Sequence, residues 1–241
     1  MPIVFNGKAV NGVQFNANYL ETAVNCNKVI YNGEIVFDNS GALTLGSIPL
    51  GSKVIVTEGS RDYTWILADK NYNGYGFPVL VRSVISQSGV YHSEVPSTAS
   101  DNKYEGSYLA YYCGLNLSNF SEELANKIIT VNVPVKASAA SNTESYVAQK
   151  IFAPSVVELG FTPVSDEPYE GKPFAYSFDP TSLQHWTRTV VSGQANSIWI
   201  VNKNNNLANS SSRTPQYIVP AFCLPIDTQV EENNGYYSLI L

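Results

Sequence analysis

Leu183-Gln184-His185-Trp186-Thr187-Arg188-Thr189-Val190 opens the stretch that decides the fold. It continues through the apolar run Ser197-Ile198-Trp199-Ile200-Val201 and closes on Tyr217-Ile218-Val219-Pro220-Ala221-Phe222-Cys223-Leu224-Pro225. Strand-type segments thus flank a polar block, Asn202 to Gln216, rich in Asn and Ser. A rigid scaffold presents a surface loop in this way, and such loops more often bind than catalyse. Trp199 alternates with Ile198 and Ile200, so one face of that strand is exposed or interfacial unless both sides are covered.

Working outward, the remaining chain reads as α+β. Lys53-Val54-Ile55-Val56 and Tyr63-Thr64-Trp65-Ile66-Leu67-Ala68 are strands joined by a turn at Glu58-Gly59-Ser60. Residues 69–77 form a Tyr/Gly/Asn loop, and Pro78 to Ser83 is another strand. Tyr108, Leu109, Tyr111 and Tyr112 stand at helical spacing. A second helix runs through Ser121 to Lys127, capped by Ser118 or Asn119, with Glu122 and Glu123 suiting its dipole. Ile128 to Val135 and Tyr146 to Pro154 are strands, and Ser155 to Gly160 is a short helical turn. Residues 226–241 read as a C-terminal tail, so the main domain spans 42–225.

Residues 1–38 stand apart. Asn6-Gly7, Asn11-Gly12 and Asn32-Gly33 each adjoin a short apolar or alternating segment, which marks tight β-hairpins. So short a module holds little core of its own and is expected to pack on a neighbour, within the chain or in another subunit.

Bulk properties narrow the function. Of 241 residues, 44% are hydrophobic but only 14% are charged, so the polar surface rests on Asn, Ser, Thr, Gln and Tyr. A net charge of −6 with no basic stripe argues against nucleic acid and against anionic membranes. No apolar run is long enough to span a bilayer, so no membrane insertion is expected. The N-terminus lacks the pattern of a signal peptide. Cys26, Cys113 and Cys223, an odd number widely spaced, form neither a disulfide framework nor a metal pattern. Reduced, packed thiols fit synthesis in a cytosol and release by lysis better than export.

Catalytic motifs are missing from the sequence: there is no G-x-S-x-G, P-loop, H-E-x-x-H or G-x-G-x-x-G. His92 and His185 lie far apart, and no metal or other cofactor is expected. Glycoside hydrolysis would need two carboxylates across a cleft, drawn from Asp69, Asp101, Glu105, Asp166 and Asp179. A thiol nucleophile would be Cys113 or Cys223, both in apolar surroundings that favour inert packing.

Several pieces occur in order: Trp65-Ile66-Leu67, Tyr104 to Leu109, Phe120 to Leu124, Lys150 to Ser155, Glu158-Leu159-Gly160, Trp186 to Thr189, and Pro220 to Pro225. In this order they resemble an uncharacterised domain of structural proteins from phages and prophages of Gram-positive bacteria. That family usually has Arg before the final Pro-Ala, where this chain has Val219; if that Arg supports a core polar network, this chain does without it or uses Arg213. The W-x-R-[ST] segment and late Pro-Ala-Phe strand also resemble C-type-lectin-like and formylglycine-generating-enzyme-like folds. That resemblance implies a mixed domain with extensive loops. It makes Trp65, Trp186, Arg188 and Phe222 structural anchors, with Arg188 a buried or half-buried partner for carbonyls or a loop acid. The alternative for Trp186 is an exposed ligand-stacking ring. Val29 to Phe37 is similar to attachment segments of virion proteins, which implies docking to other virion proteins through residues 1–38.

The resemblance implies a non-enzymatic virion protein, a tail or baseplate appendage or a head decoration, that binds a host-surface ligand such as a glycan. Candidate contacts are Tyr72, Tyr75, Tyr91, Asn204, Asn205, Asn206, Arg213 and Tyr217; each is equally readable as an ordinary loop residue. The alternatives are a purely structural virion spacer and a cell-wall glycan hydrolase. Virion appendages are often trimers, though no heptad or repeat here dictates a homo-oligomer.

Overall fold

The computed structural model describes residues 3–5, 8–10, 28–31, 34–38, 42–83, 88–162, 170–177 and 183–241. The chain divides into two compact units, Met1–Leu43 and Thr44–Leu241.

In the first unit Ile3–Phe5 (β1) pairs antiparallel with Lys8–Val10 (β2), and Lys28–Tyr31 (β3) with Glu34–Asp38 (β4). Two residues separate the strands of each pair, the spacing of a tight hairpin. The expected turn residues Asn6-Gly7, Asn11-Gly12 and Asn32-Gly33, and Cys26, lie outside the described residues.

The boundary falls in the two-residue strand Leu43–Thr44 (β5). Lys53–Glu58 (β6) follows, with Val54, Val56 and Glu58 buried on one face and Lys53 and Thr57 exposed on the other. Arg61–Asp69 (β7) and Val79–Arg82 (β8) come next, and every residue of β8 is buried. A strand covered on both faces loses the alternation of a half-buried one. After Ser88–Gly89 (β9), Tyr108–Leu115 (α1) is capped by Ser107, whose side chain accepts from the Ala110 N–H at 3.1 Å. Glu122–Lys127 (α2) is capped by Ser121, which accepts from the Leu124 N–H at 3.2 Å. Ser118 and Asn119, the expected caps, instead belong to a 3-10 turn, because the chain extends at buried Phe120 before the helix begins.

Val131–Lys136 (β10) and Glu144–Gln149 (β11) form a separate antiparallel pair. Ile151–Phe152 (β12), His185–Val190 (β13), Ser197–Val201 (β14), Leu207–Ser211 (β15), Gln216–Tyr217 (β16), Ala221–Cys223 (β17), Gln229–Asn233 (β18) and Tyr236–Leu239 (β19) complete the elements. Two larger sheets result, with orders β12-β17-β8-β7-β6-β19-β18-β5 and β15-β14-β13-β16-β9. Both are mixed: β19 runs parallel to β6, and β16 parallel to β13. The described residues are therefore mostly strand with two short helices, an α+β arrangement in the coarse sense.

Two segments differ from the sequence reading. The Asn/Ser block is not an open excursion; Asn202–Asn206 is a tight turn, and β15 returns along β14. The Asn202 side-chain oxygen accepts from the N–H groups of Asn204 and Asn206, so the asparagines satisfy each other locally. Residues 226–241 are not an appended tail, since they supply β18 and β19, and β19 lies between β18 and β6.

The core centres on Trp65, whose ring lies 4.5 Å from Phe222 and 6.1 Å from Phe120. Its indole N–H donates to Glu58, which is ion-paired with Arg82 at 3.3 Å. Trp186 is equally buried, donating to the Gly89 carbonyl at 2.7 Å and packing edge-on against Tyr91.

Candidate functional site

A surface groove gathers the features expected of a ligand site. It consists of two adjoining depressions, about 510 and 470 Å³, that share Ser93, Gly106 and Tyr108. Segment 92–97 and Asp101 form one side, and α1 contributes Tyr108 and Tyr111. The helical repeat puts Leu109, Ala110 and Cys113 into the core and leaves Tyr111 60% exposed. Tyr108 lies 6.1 Å from Tyr111 and 5.9 Å from Tyr112, so the helix offers a row of aromatic faces beside Ser93, Ser97 and Gln149.

Hydrogen bonds fix this groove from beneath. Buried Tyr91 donates its hydroxyl to the Arg188 carbonyl at 2.8 Å, its N–H to the Ser212 carbonyl, and accepts from the Leu109 N–H. His92 meets Asn102 at 3.0 Å, and Asn102 donates to the carbonyls of Gln194 and Ser197. Burial lowers the His92 pKa, partly offset by the Asn102 contact, which favours a neutral imidazole. Arg213 donates to the Ser93 carbonyl and so ties β15 and β16 to the groove wall. Asp101 accepts from Ser97 and from both the N–H and hydroxyl of Thr98, and these bonds hold its carboxyl below the usual range. Flat aromatic faces with fixed hydroxyl, amide and carbonyl groups suit stacking on, and hydrogen bonding to, a polyhydroxylated ligand.

A buried ionic cluster lies behind the groove floor. Arg188 pairs bidentately with Glu158 at 2.5 and 2.7 Å, and also donates to the carbonyls of Pro134, Ala153 and Glu170. All five guanidinium donors are thereby used. Glu170 accepts from the Lys136 N–H and the Thr189 hydroxyl, and Ser155 donates to the Glu170 carbonyl. Arg188, Glu158, Glu170 and Lys136 are all at most 1% exposed. Desolvation opposes the Arg188 charge, but Glu158, Tyr72 and Glu170 outweigh it and push its pKa up. A second arginine before Pro220 is not needed here: Val219 is fully buried, and Arg213 is exposed and bonded at the groove wall rather than in the core.

The candidate contacts separate in space. Tyr72 and Tyr91 are core residues, at 1% and 0% exposure, and so cannot be surface contacts. Tyr72 packs 5.0 Å from Phe152 and fixes the loop that carries it. Asn204, Asn205 and Asn206 form the β14–β15 turn, where Asn205 takes a positive φ of 55°. Tyr217 is half-buried, paired with His185 and Ser88. Tyr75 is 46% exposed, away from the residues lining the groove, and Arg213 alone of the candidates reaches that groove. In the sequence Tyr108 and Tyr111 carry only a helical signal, and their exposure follows from which side of α1 meets the core. The anchors Trp65, Trp186, Arg188 and Phe222 are all fully buried, which removes the ligand-stacking alternative for Trp186.

The residues considered for catalysis are scattered, and Asp69 and His185 are held by backbone groups. Asp69 accepts from the N–H groups of Asn71 and Ala175, and Glu105 is exposed. Asp166 and Asp179 lie outside the described residues. His185 is buried and contacts the Leu183 carbonyl. Among the described residues no three His, Cys, Asp or Glu side chains converge as a metal site would need. Burial pushes the Cys113 thiol up to about 12 and raises Cys223 as well. Neither thiol should therefore react with iodoacetamide in the folded protein, and both should react after unfolding in guanidinium. Peptide mapping reads this directly, and native-state alkylation of either would contradict the packing.

Residues 64–226, from within β7 to just beyond β17, match the model of a family described as a domain of unknown function (DUF6273). The matched span includes the groove and the Arg188 cluster. No curated protein and no solved structure matches the chain, and no helix among the described residues is long and apolar enough to cross a membrane.

Proposed function

This chain belongs to the DUF6273 family of domains of unknown function, and on that premise we propose that it is a non-enzymatic binding protein of a phage virion whose larger unit recognises a host-surface glycan. The larger unit is a C-type-lectin-like platform, and residues 1–38 attach the protein to other virion proteins as a tail, baseplate or head appendage. The attachment role rests on the hairpin sequence Val29 to Phe37 and its resemblance to virion segments. One observation carries the binding role: the exposed Tyr111 and neighbouring Tyr108 stand at a groove that also presents the hydroxyls of Ser93, Ser97 and Ser107 and the amide of Gln149, beside Val95, Pro96, Glu94 and Asp101. Nearby Asp101 is committed to Ser97 and Thr98, which leaves it unsuited to proton donation.

Titrating the protein with purified polysaccharide from Gram-positive cell walls tests the proposal. Tyr111→Ala should weaken binding about tenfold, the effect of losing ~1.4 kcal/mol of stacking. The substitution should leave the fold intact, since the ring is exposed. Failure to bind any envelope fraction would favour a purely structural virion spacer. Release of soluble sugar that disappears with one carboxylate would replace binding with glycan hydrolysis.

A further inference from the structure

Loop 69–77 contains three residues in left-handed conformations: Asn73 at φ 48°, Gly74 at φ 90° and Gly76 at φ 76°. An L side chain at either glycine would be strained whatever the space around it. The loop is nevertheless tightly held. Tyr72 is buried against Phe152 and Phe174; Asp69 and the Asn71 side chain accept from N–H groups within the loop; and Asn73 accepts from the Lys172 N–H at 3.0 Å. The product of this geometry is one large side chain in solvent, Tyr75, at 46% exposure.

A second exposed ring lies on the hairpin that this loop meets. Tyr146, on β11, is 57% exposed, and its hydroxyl donates to Glu144 at 2.5 Å, which fixes the ring direction. Tyr146 lies directly across from Pro134 in the β10–β11 register. Gly171 sits between the two elements: a Cβ there would lie 3.0 Å from the Asn73 side-chain oxygen and 3.1 Å from the Pro134 ring. The loop and the hairpin therefore meet at Gly171. Glu144 raises the Tyr146 phenol pKa most, with smaller upward contributions from burial and from Tyr75.

We propose that Tyr75 and Tyr146 form a carbohydrate-stacking platform, a saccharide contact separate from the Tyr108–Tyr111 groove. Tyr75 rides on a loop pinned by the Asp69, Asn71 and Asn73 hydrogen bonds, and Tyr146 on a paired strand, so two half-exposed rings are presented on backbone already ordered for a ligand. The apolar face of a pyranose ring stacks on such tyrosines, and Glu144 supplies an acceptor for a sugar hydroxyl. The ligand class is a neutral saccharide. That class rests on the glycan reading above, whereas the preorganisation is independent of it.

The test is calorimetric and spectroscopic titration of the full chain with soluble Gram-positive wall polysaccharide and with chitotetraose. The variants are Tyr75→Ala/Tyr146→Ala, Tyr111→Ala and the triple substitution. The double variant is expected to lose about tenfold in affinity or one of two classes of sites, with an unchanged circular dichroism spectrum, and the Tyr75 and Tyr146 ring resonances should shift on saturation of the wild type. Binding that is impaired by Tyr111→Ala but untouched in the double variant, with both ring resonances unmoved, would overturn the platform while leaving the groove in place. No binding of either saccharide by the wild type would overturn both together.

Discussion

Arg188→Met should destabilise the larger unit by about 3–5 kcal/mol, the usual effect of removing one partner from a buried ion pair. The physical reason is the charge left behind. Glu158 and Arg188 have side chains at 0% exposure, so the carboxylate cannot regain water when the guanidinium is gone. The carbonyls of Pro134, Ala153 and Glu170 also lose their donor, and those carbonyls belong to three separate segments. The midpoint of urea unfolding measures the effect. Arg188→Met/Glu158→Leu should be less destabilised than the two single changes summed, because the double variant removes the uncompensated charge as well as the pair. A loss below about 1 kcal/mol in the single variant would mean that the pair is solvated, contrary to the burial described.

Trp65→Ala should have an effect of similar size, about 3–5 kcal/mol, as for other large aromatic truncations in packed cores. Trp65 sits in β7 in the interior of the eight-stranded sheet, and its ring bridges Phe222 of β17 and Phe120 ahead of α2. No neighbouring element can move in to fill the space without disturbing the strand register. Trp65→Phe separates packing from polarity. It keeps an aromatic ring but removes the N–H that donates to Glu58. Burial raises the Glu58 pKa, while Arg82 and then the Trp65 N–H lower it. Losing the N–H should move the Glu58 titration further up. A carboxyl with a raised folded pKa disfavours the native state when charged, and this cost is relieved as the pH falls through the folded value. Carbon-detected carboxyl titration by NMR checks the direction; a downward shift would mean that the indole does not stabilise the carboxylate.

Local patterns in the chain were legible where the physics is local. The alternation in Lys53–Glu58, the acidic first turn of α2 and the hairpin spacing of residues 3–10 and 28–38 each depend on neighbours in sequence. The expectation that Arg188 would seek carbonyls or an acid comes instead from the resemblance carried by Trp186 to Thr189. Its partners were not legible, because Glu158 and Glu170 are 30 and 18 residues away and reach it only through tertiary folding. The same limit explains the tyrosines. Tyr72 and Tyr75 occupy one loop with the same composition, yet one is core and one is solvent-facing, and only the position of Phe152 and Phe174 distinguishes them. Tyr146 looked like an ordinary strand residue, since nothing nearby in sequence announces Asn73 and Gly171 as spatial neighbours. The asparagines at 204–206 misled for the opposite reason. Their polarity suggested ligand contacts, whereas the backbone of a tight turn already uses Asn202 and requires a left-handed residue at Asn205.

The placement of β19 between β6 and β18 has a consequence for biosynthesis. A ribosome releases β6, β7 and β8 long before residues 236–239 leave the exit tunnel, so until then the nascent sheet carries a bare edge at β6. An unpaired strand edge is a template for wrong pairing with another chain. Slowed elongation between the codons for β8 and β19, or depletion of the chaperone that shields emerging chains, should therefore harm the yield of this protein more than that of one whose central strands pair as they emerge.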